Sequence, residues 1–306
     1  MTDLKPVGFV GLGGMGRGLV KNLVKNGVHV RALDVRAEAV ADVVSLGAQA
    51  GESLAELRST CTVIMFCVNT AEQVDEMVTG PDGLLHIPGP DDLIVVDHTT
   101  SNPASVARLN DAVSGAGMRY AEAPMTRTPK HADAGQVNVL YGGDAELLDA
   151  LRPYFSCYAE NVFHIGPTGH AIRLKLIHNF IAFANVLAWC EGFALAAKDG
   201  LDLDQAIKII SAAGGRSGML DLYGASTLER DFTPWMSLDN AAKDVRYYAD
   251  WLEDAGLPGF HAEAINQSYR LAALEGLGPE SCTAIIKMYE RLTGVVAKSG
   301  SAPSDG

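Results

Sequence analysis

The chain has 306 residues, 48% of them hydrophobic and 20% charged, which allows one large or two medium domains with a substantial core. A net charge of -13 and a pI near 5.0 argue against a nucleic-acid partner or an anionic membrane surface. The five cysteines (Cys61, Cys67, Cys157, Cys190, Cys282) show no paired metal spacing, so no metal site is expected, and an odd, scattered set fits reduced thiols in a cytoplasmic protein.

The N-terminus enters an apolar strand by Val7, which leaves no room for a signal peptide. Lys5–Val10 runs directly into Gly11-Leu12-Gly13-Gly14-Met15-Gly16, then an amphipathic helix ending at Gly27, then the strand HVRALDV. A lone GxGxxG is weak; in a strand–turn–helix–strand context it is the pattern of a dinucleotide site. Gly11 makes the tight turn, Gly13 lets backbone approach a pyrophosphate, and Gly16 lets helix and strand pack closely. Asp34 ends the second strand, 18 residues past Gly16, where a carboxylate can accept hydrogen bonds from the ribose of NAD and repel the 2′-phosphate of NADP. NAD is therefore expected over NADP, although Arg36 could soften that preference.

The alternation continues. Helices are expected near Ala37–Gly47, Ser53–Arg58, Ala71–Val78 and Pro103–Ser114, and strands near Gly47–Ala50, Thr62–Val68 and Leu93–Asp97. Strands separated by helices of this length predict a parallel, doubly wound sheet with its ligand beyond the carboxyl ends of the strands. That places Val68, Asn69 and Thr100 at the cofactor crevice, where turn formation is an equally good reading from spacing alone. A strand ending Tyr120–Pro124 leads into Met125-Thr126-Arg127-Thr128. Arg127 between two threonines can grip a carboxylate, sulfonate or phosphate, although a solvated loop arginine is an even alternative. A hairpin-like pair at Gln136–Gly143, a helix at Glu146–Pro153 and a strand at Asn161–Ile165 close the first domain.

His170–Lys198 reads as one long helix, apolar on nearly every face and so expected to be buried between two domains. Arg173, Lys175 and His178 near its start make it a helix of a soluble protein and not a membrane span. Lys175 and Asn179 are one turn apart on a shared face, where an amine and an amide are costly unless paired. Helical periodicity recurs in Leu203–Ala213, Met219–Glu229, Leu238–Ala255, Phe260–Glu275 and Ser281–Gly294, an all-helical second domain. Lys243-Asp244 lies mid-helix, by default an exposed charge pair. The organisation expected is an NAD-binding Rossmann domain over 1–166, an all-α domain over 167–298 that includes the interdomain helix, and a disordered tail over 299–306.

These blocks resemble the β-hydroxyacid dehydrogenases, the family of 3-hydroxyisobutyrate dehydrogenase and tartronate semialdehyde reductase. The carriers are Gly8-Phe9-Val10-Gly11-Leu12-Gly13-Gly14-Met15-Gly16, Ala123-Pro124, Gly166-Pro167-Thr168-Gly169 with Lys175 and Asn179, and Lys243-Asp244. The resemblance implies that Lys175 is the catalytic lysine, that Asn179 helps hold it and the substrate, and that Lys243 and Thr100 approach the nicotinamide. It also implies a homodimer or homotetramer. Three departures stand out: Thr126-Arg127-Thr128 replaces a usual Ser-Gly-Gly, His178-Asn179 replaces paired asparagines, and Trp235-Met236 replaces Gly-Phe. The arginine is similar to the branch that reduces 3-sulfolactaldehyde.

The chemistry implied is reversible hydride transfer between the nicotinamide and the β-hydroxyl carbon of a small acid. Lys175 exchanges the hydroxyl proton, and burial disfavours its ammonium. Thr126, Arg127 and Thr128 hold the acid group, as carboxylate or sulfonate. The rival readings are an imine reductase, whose relatives generally replace the lysine, and a dinucleotide sensor without catalysis.

Overall fold

The structure, a computed structural model, describes residues 4–300. In chain order the elements of the first part are β1 (Val7–Val10), α1 (Gly14–Lys25), β2 (Val30–Leu33), α2 (Ala37–Ser45), β3 (Gln49–Ala50), α3 (Leu54–Thr60), β4 (Val63–Phe66) and α4 (Ala71–Thr79). They continue as β5 (Ile94–Asp97), α5 (Pro103–Gly115), β6 (Arg119–Glu122), β7 (Met125–Thr126), α6 (Pro129–Ala134), β8 (Val137–Gly142), α7 (Ala145–Phe155) and β9 (Ala159–Gly166). The helical part is α8 (His170–Lys198), α9 (Leu203–Ser211), α10 (Gly218–Leu228), α11 (Leu238–Asp254), α12 (Phe260–Ala272) and α13 (Ile286–Thr293). The chain divides into two compact units, 1–175 and 176–306, with the division inside α8.

The first unit is a Rossmann-type sheet. Its strand order is β3-β2-β1-β4-β5-β6-β8-β7, with β9 paired to β8; β1, β2, β4, β5 and β6 run parallel, and β8 runs antiparallel to β6 and β7. Strands such as β1 (VGFV) and β4 (VIMF) are buried at every position because helices cover both faces, which is why they read as unbroken apolar runs. One face, with Phe9, Met65 and Val96, packs on Leu19 and Leu23 of α1 and Leu151 of α7. On the other, a side chain at Gly8 would meet Ile64 and Leu57 of α3. Local signals set the helix starts: Thr70 and Gln73 form a reciprocal capping box on α4, and Asn102 caps α5 with Pro103 at its first position. The short helix α6 is opened by Pro129 at its first position and closed by Gly135 at φ 72.

The second unit has its own core, in which Phe183, Trp189 and Phe193 of α8 pack with Leu220, Val245, Tyr269 and Ile286. Trp235 is partly buried against this core, its ring 5.8 Å from that of Tyr223. Ser299 donates to Asp204 at 2.7 Å and the Gly300 amide does so at 3.0 Å, so the start of the expected tail is tied to α9, and positions 301–306 lie outside the described residues.

Helix α8 is long and apolar enough, by length and composition, to cross a membrane, with a mean hydropathy of 1.6. The expectation that nearly all its faces are buried needs correction. Leu174, Ile177, Ile181 and Leu195 recur at helical spacing and are 36–57% exposed, while Ala171, Leu176, Val186 and Cys190 are buried. Apolar composition cannot distinguish a buried face from an apolar exposed one.

Candidate active site

The glycine loop is the N-terminal end of α1. Gly11 stands at φ 96, and a Cβ there would lie 2.3 Å from the Cys67 carbonyl oxygen; a Cβ at Gly16 would lie 2.0 Å from the Gly11 carbonyl oxygen. Both glycines are buried and are required by packing within the protein. Gly13 is different: a Cβ there would meet nothing within 4 Å, and Gly13 and Gly14 are exposed. Gly13 is also the N-cap of α1, with no side-chain cap and no acidic residue in the first turn. An accessible helix N-terminus with only backbone at its rim fits a pyrophosphate.

Asp34 braces this loop from β2. Its Oδ2 accepts the Leu12 amide at 2.6 Å and its Oδ1 accepts the Arg36 amide at 2.9 Å, while the Arg36 guanidinium also reaches the Leu12 carbonyl at 3.2 Å. Burial pushes the Asp34 carboxyl up, but the Leu12 and Arg36 hydrogen bonds outweigh it and hold the group below the ordinary aspartate value. Next to it Val35 is wholly exposed.

The ends of β4 and β5 are tied together. The Val68 amide donates to Thr99 Oγ1 at 3.2 Å, and the Asn69 and Thr70 amides donate to Gln73 Oε1 at 3.0 and 3.1 Å. Asp97, the last residue of β5, accepts the Thr99 amide at 2.8 Å and the Tyr120 hydroxyl at 3.1 Å, fixing the turn that presents Thr100. Burial raises the Asp97 carboxyl to about 6 against those bonds. His98 is buried; its Nδ1 donates to the Ala123 carbonyl at 2.7 Å and its Nε2 accepts from the Tyr158 hydroxyl at 3.0 Å. Burial lowers it to about 4, so the ring is neutral. The structure thus gathers the glycine loop, Asp34, Val68, Asn69 and Thr100 at the carboxyl ends of four adjacent strands.

The loop after β6 is less simple. Arg127 stands at φ 80, a left-handed conformation rarely adopted by a side-chain-bearing residue. Its guanidinium donates to the Gln136 carbonyl at 2.6 Å and pairs with Glu160. Thr126 accepts from Asn138 at 3.1 Å, and Thr128 lies 2.8 Å from His131 Nδ1. All three candidate anion ligands therefore have local partners in this structure.

On α8, Lys175 and Asn179 are 6% and 3% exposed. Asn179 Nδ2 donates to Asp244 Oδ2 at 2.6 Å, and Asp244 pairs with Lys243 at 3.2 Å. The exposed charge pair expected at Lys243-Asp244 is therefore corrected: Asp244 is 2% exposed and serves the Asn179 amide. His178, whose ring is exposed, lies 2.9 Å from Asn179 Oδ1. Four residues absent from the sequence reading hold this architecture: Asp97, His98, Glu122 and Tyr158. Their partners lie 23 to 93 residues away in the chain, apart from the local Asp97–Thr99 bond, so no spacing rule exposes them.

Two family descriptions cover the chain: the NAD-binding domain of 6-phosphogluconate dehydrogenase over residues 6–166, and the NAD-binding region of NADP-dependent 3-hydroxyisobutyrate dehydrogenase over 169–289. Among curated relatives, 2-(hydroxymethyl)glutarate dehydrogenase of Eubacterium barkeri is 28% identical over 96% of this chain and 98% of its own. Glyoxylate/succinic semialdehyde reductase 1 of Arabidopsis thaliana is 29% identical over 92% and 97%. Among solved structures, a 3-hydroxyisobutyrate dehydrogenase from Salmonella typhimurium superposes with a TM-score of 0.85 at 27% identity, covering 93% of this chain and 99% of its own. The chain belongs to the 3-hydroxyisobutyrate dehydrogenase-like β-hydroxyacid dehydrogenase family and is an NAD-binding oxidoreductase acting on CH–OH groups.

Proposed function

We propose that this enzyme interconverts a short β-hydroxyacid and its semialdehyde with NAD, and that Lys175 moves the proton. The observation that carries the reading is the buried amine of Lys175, one helical turn before an Asn179 amide already held by Asp244. When bound, the dinucleotide accepts or supplies the hydride. Lys175 takes the hydroxyl proton during oxidation and returns it during reduction, so neither a free alkoxide nor a protonated carbonyl forms. Asn179 is assigned to orienting the amine, and Lys243 and Thr100 are assigned to the nicotinamide end on the family resemblance alone. Gly11 through Gly16, Asp34, Val68 and Asn69 hold the dinucleotide. The ionised Asp34 favours NAD over NADP, and the exposed Val35 beside it offers an apolar surface to an adenine ring.

Arg127 anchors the acid group, with Thr126 and Thr128 adding donors. For that it exchanges Glu160 for the substrate acid, and its strained backbone agrees with a functional position. A 3-sulfolactaldehyde-like sulfonate and a short carboxylate semialdehyde both suit such an anchor. The semialdehyde substrate in the name of the plant relative supports the aldehyde-acid class. The buried lysine disfavours the imine-reductase and sensor readings. A cytoplasmic location agrees with five free cysteines, and a homodimer or homotetramer with the exposed apolar stripe of α8.

The test is NADH and NADPH oxidation with 3-sulfolactaldehyde, succinic semialdehyde, methylmalonate semialdehyde and tartronate semialdehyde, for wild type and Lys175→Ala. A loss of about 10²-fold or more in kcat with NADH binding retained is expected for the variant. Near-normal turnover would remove Lys175 from the mechanism.

A further inference from the structure

We infer that Glu122 is the positioning residue that seats the start of α8, and with it Lys175, on the carboxyl end of the parallel sheet. The inference rests on the proton-carrying role proposed for Lys175. Glu122 is the last residue of β6 and is 1% exposed. Its Oε1 accepts the Gly169 amide at 2.5 Å and the Ala171 amide at 3.0 Å, and its Oε2 accepts the Ile172 amide at 3.2 Å. The first amides of a helix have no acceptor within it and are ordinarily served by a neighbouring Ser, Thr, Asp or Asn. Here one carboxylate, 47 to 50 residues earlier in the chain, takes three of them. Lys175 follows Ile172 by three residues, on the next turn.

A second observation is independent of those bonds. Gly142 of β8 pairs across from Glu122, and a Cβ at Gly142 would lie 1.9 Å from Glu122 Oε1. Gly142 has no left-handed backbone to explain it, so the glycine leaves room for the carboxylate. The strand that delivers Ala123-Pro124 and the Thr126–Thr128 loop is thus bolted to the first turn of the helix that carries the amine. One residue fixes two parts of the proposed site in a common frame.

The electrostatics agree. A carboxylate at a helix N-terminus is favourable, and its charge offsets the positive end of the helix dipole close to Lys175. Burial raises the Glu122 carboxyl to about 7 against the pull of the three amides. Asp97 at the end of β5, Tyr120 on its own strand and Tyr141 on β8 are among the ionisable groups that interact with it.

The test uses the whole enzyme with NADH and the fastest aldehyde acid among succinic semialdehyde and 3-sulfolactaldehyde. Glu122→Gln keeps the shape, removes the charge and turns one acceptor into a donor. Expected are faster amide exchange confined to the peptide spanning 166–175, unchanged NADH affinity, and a kcat about tenfold lower or more with little change in KM. The alkaline limb of the kcat profile for aldehyde reduction moves down by about half a pH unit, since Lys175 loses a neighbouring negative charge. Glu122→Asp, which keeps the charge, restores that limb. A Glu122→Gln enzyme with wild-type kcat and pH profile overturns the inference, even if local exchange is faster. Should that variant fail to fold, Gly142→Ala displaces the carboxylate without removing it; it is expected to lower kcat in the same way, and wild-type kcat would overturn the inference. Lys175→Ala, run in parallel, separates two failures. If it stays active, the proton role falls and takes this inference with it. If it is inactive beside a wild-type-like Glu122→Gln, the positioning role alone is wrong.

Discussion

Two helix starts in the same unit are finished in opposite ways. At α1 the rim is glycine, with no capping side chain and no acidic residue in the first turn. At α8 three amides end on a buried glutamate. Both ends carry the same positive partial charge. The first leaves it available to a diffusible phosphate, and the second spends it inside the protein to hold a helix still. A helix N-terminus is therefore a ligand site only when the fold withholds its own carboxylate. The way to read which case applies is to ask what a methyl group would strike: solvent at Gly13, the Gly11 carbonyl at Gly16, and the Glu122 carboxylate at Gly142.

The sharpest way to break the contrast is inside the glycine loop itself. Gly16→Ala drives a methyl into the Gly11 carbonyl oxygen, 2.0 Å away, and is expected to cost about 3 kcal/mol or more in chemical unfolding. At Gly13 an added Cβ meets nothing within 4 Å and the position is exposed, so Gly13→Asp should keep stability within about 0.5 kcal/mol. It gives α1 the carboxylate that α8 already has, and NADH affinity should fall about 100-fold or more by titration calorimetry, because a charge now competes with the pyrophosphate for the same amides. Equal losses of stability from the two substitutions would undo the distinction between a packing glycine and a ligand glycine.

The sealed side has a pH signature of its own. Neutral His98 joins the Ala123 carbonyl to the Tyr158 hydroxyl, and burial holds it near 4, below the ordinary histidine value of 6.5. A group with a depressed pKa is more readily protonated in the unfolded chain. Its contribution to stability is thus complete above about pH 6.5 and is lost as pH falls toward 4. Asp97 and Glu122, raised to about 6 and about 7, act in the opposite sense, because their protonated forms favour the fold. The difference between wild type and His98→Gln isolates the imidazole from both. That difference should be about 2 kcal/mol at pH 7 and should shrink by at least half by pH 4.5. A difference independent of pH would mean that folding leaves the His98 pKa unshifted.

Much of the open end was readable and little of the sealed end was. Gly11 through Gly16 and Asp34 form a local pattern, since the steric demands of a phosphate loop fall on neighbouring residues. The centre of the sheet was readable because β1 and β4, covered on both faces, are apolar and buried at every position. Glu122 and Asp97 end β6 and β5, His98 follows β5 and Tyr158 precedes β9, and their reasons are partners far along the chain. The face of α8 was misjudged for a related reason: Leu174, Ile177 and Ile181 look like core residues whatever covers them. Asp244 looked like a surface charge until its acceptance of the Asn179 amide placed it in the interior of the helical unit.

Arg127 tests the same logic at the smallest scale. It occupies a left-handed backbone at φ 80, and its guanidinium is held by Glu160 and the Gln136 carbonyl. Those contacts are partly exposed, and such pairs contribute little. The left-handed conformation costs a residue with a Cβ on the order of 1 kcal/mol. Arg127→Gly should therefore leave the protein as stable as wild type or up to about 1 kcal/mol more stable, while the KM for the aldehyde acid rises about tenfold and NADH affinity is unchanged. Arg127→Ala should show the same rise in KM without the gain in stability, because the strain stays. If Arg127→Gly keeps the wild-type KM, the arginine is a loop charge satisfied by Glu160, and the anion anchor must be sought elsewhere. If KM rises while stability also falls, the Glu160 pair outweighs the backbone strain, and this loop is held for structure as much as for substrate.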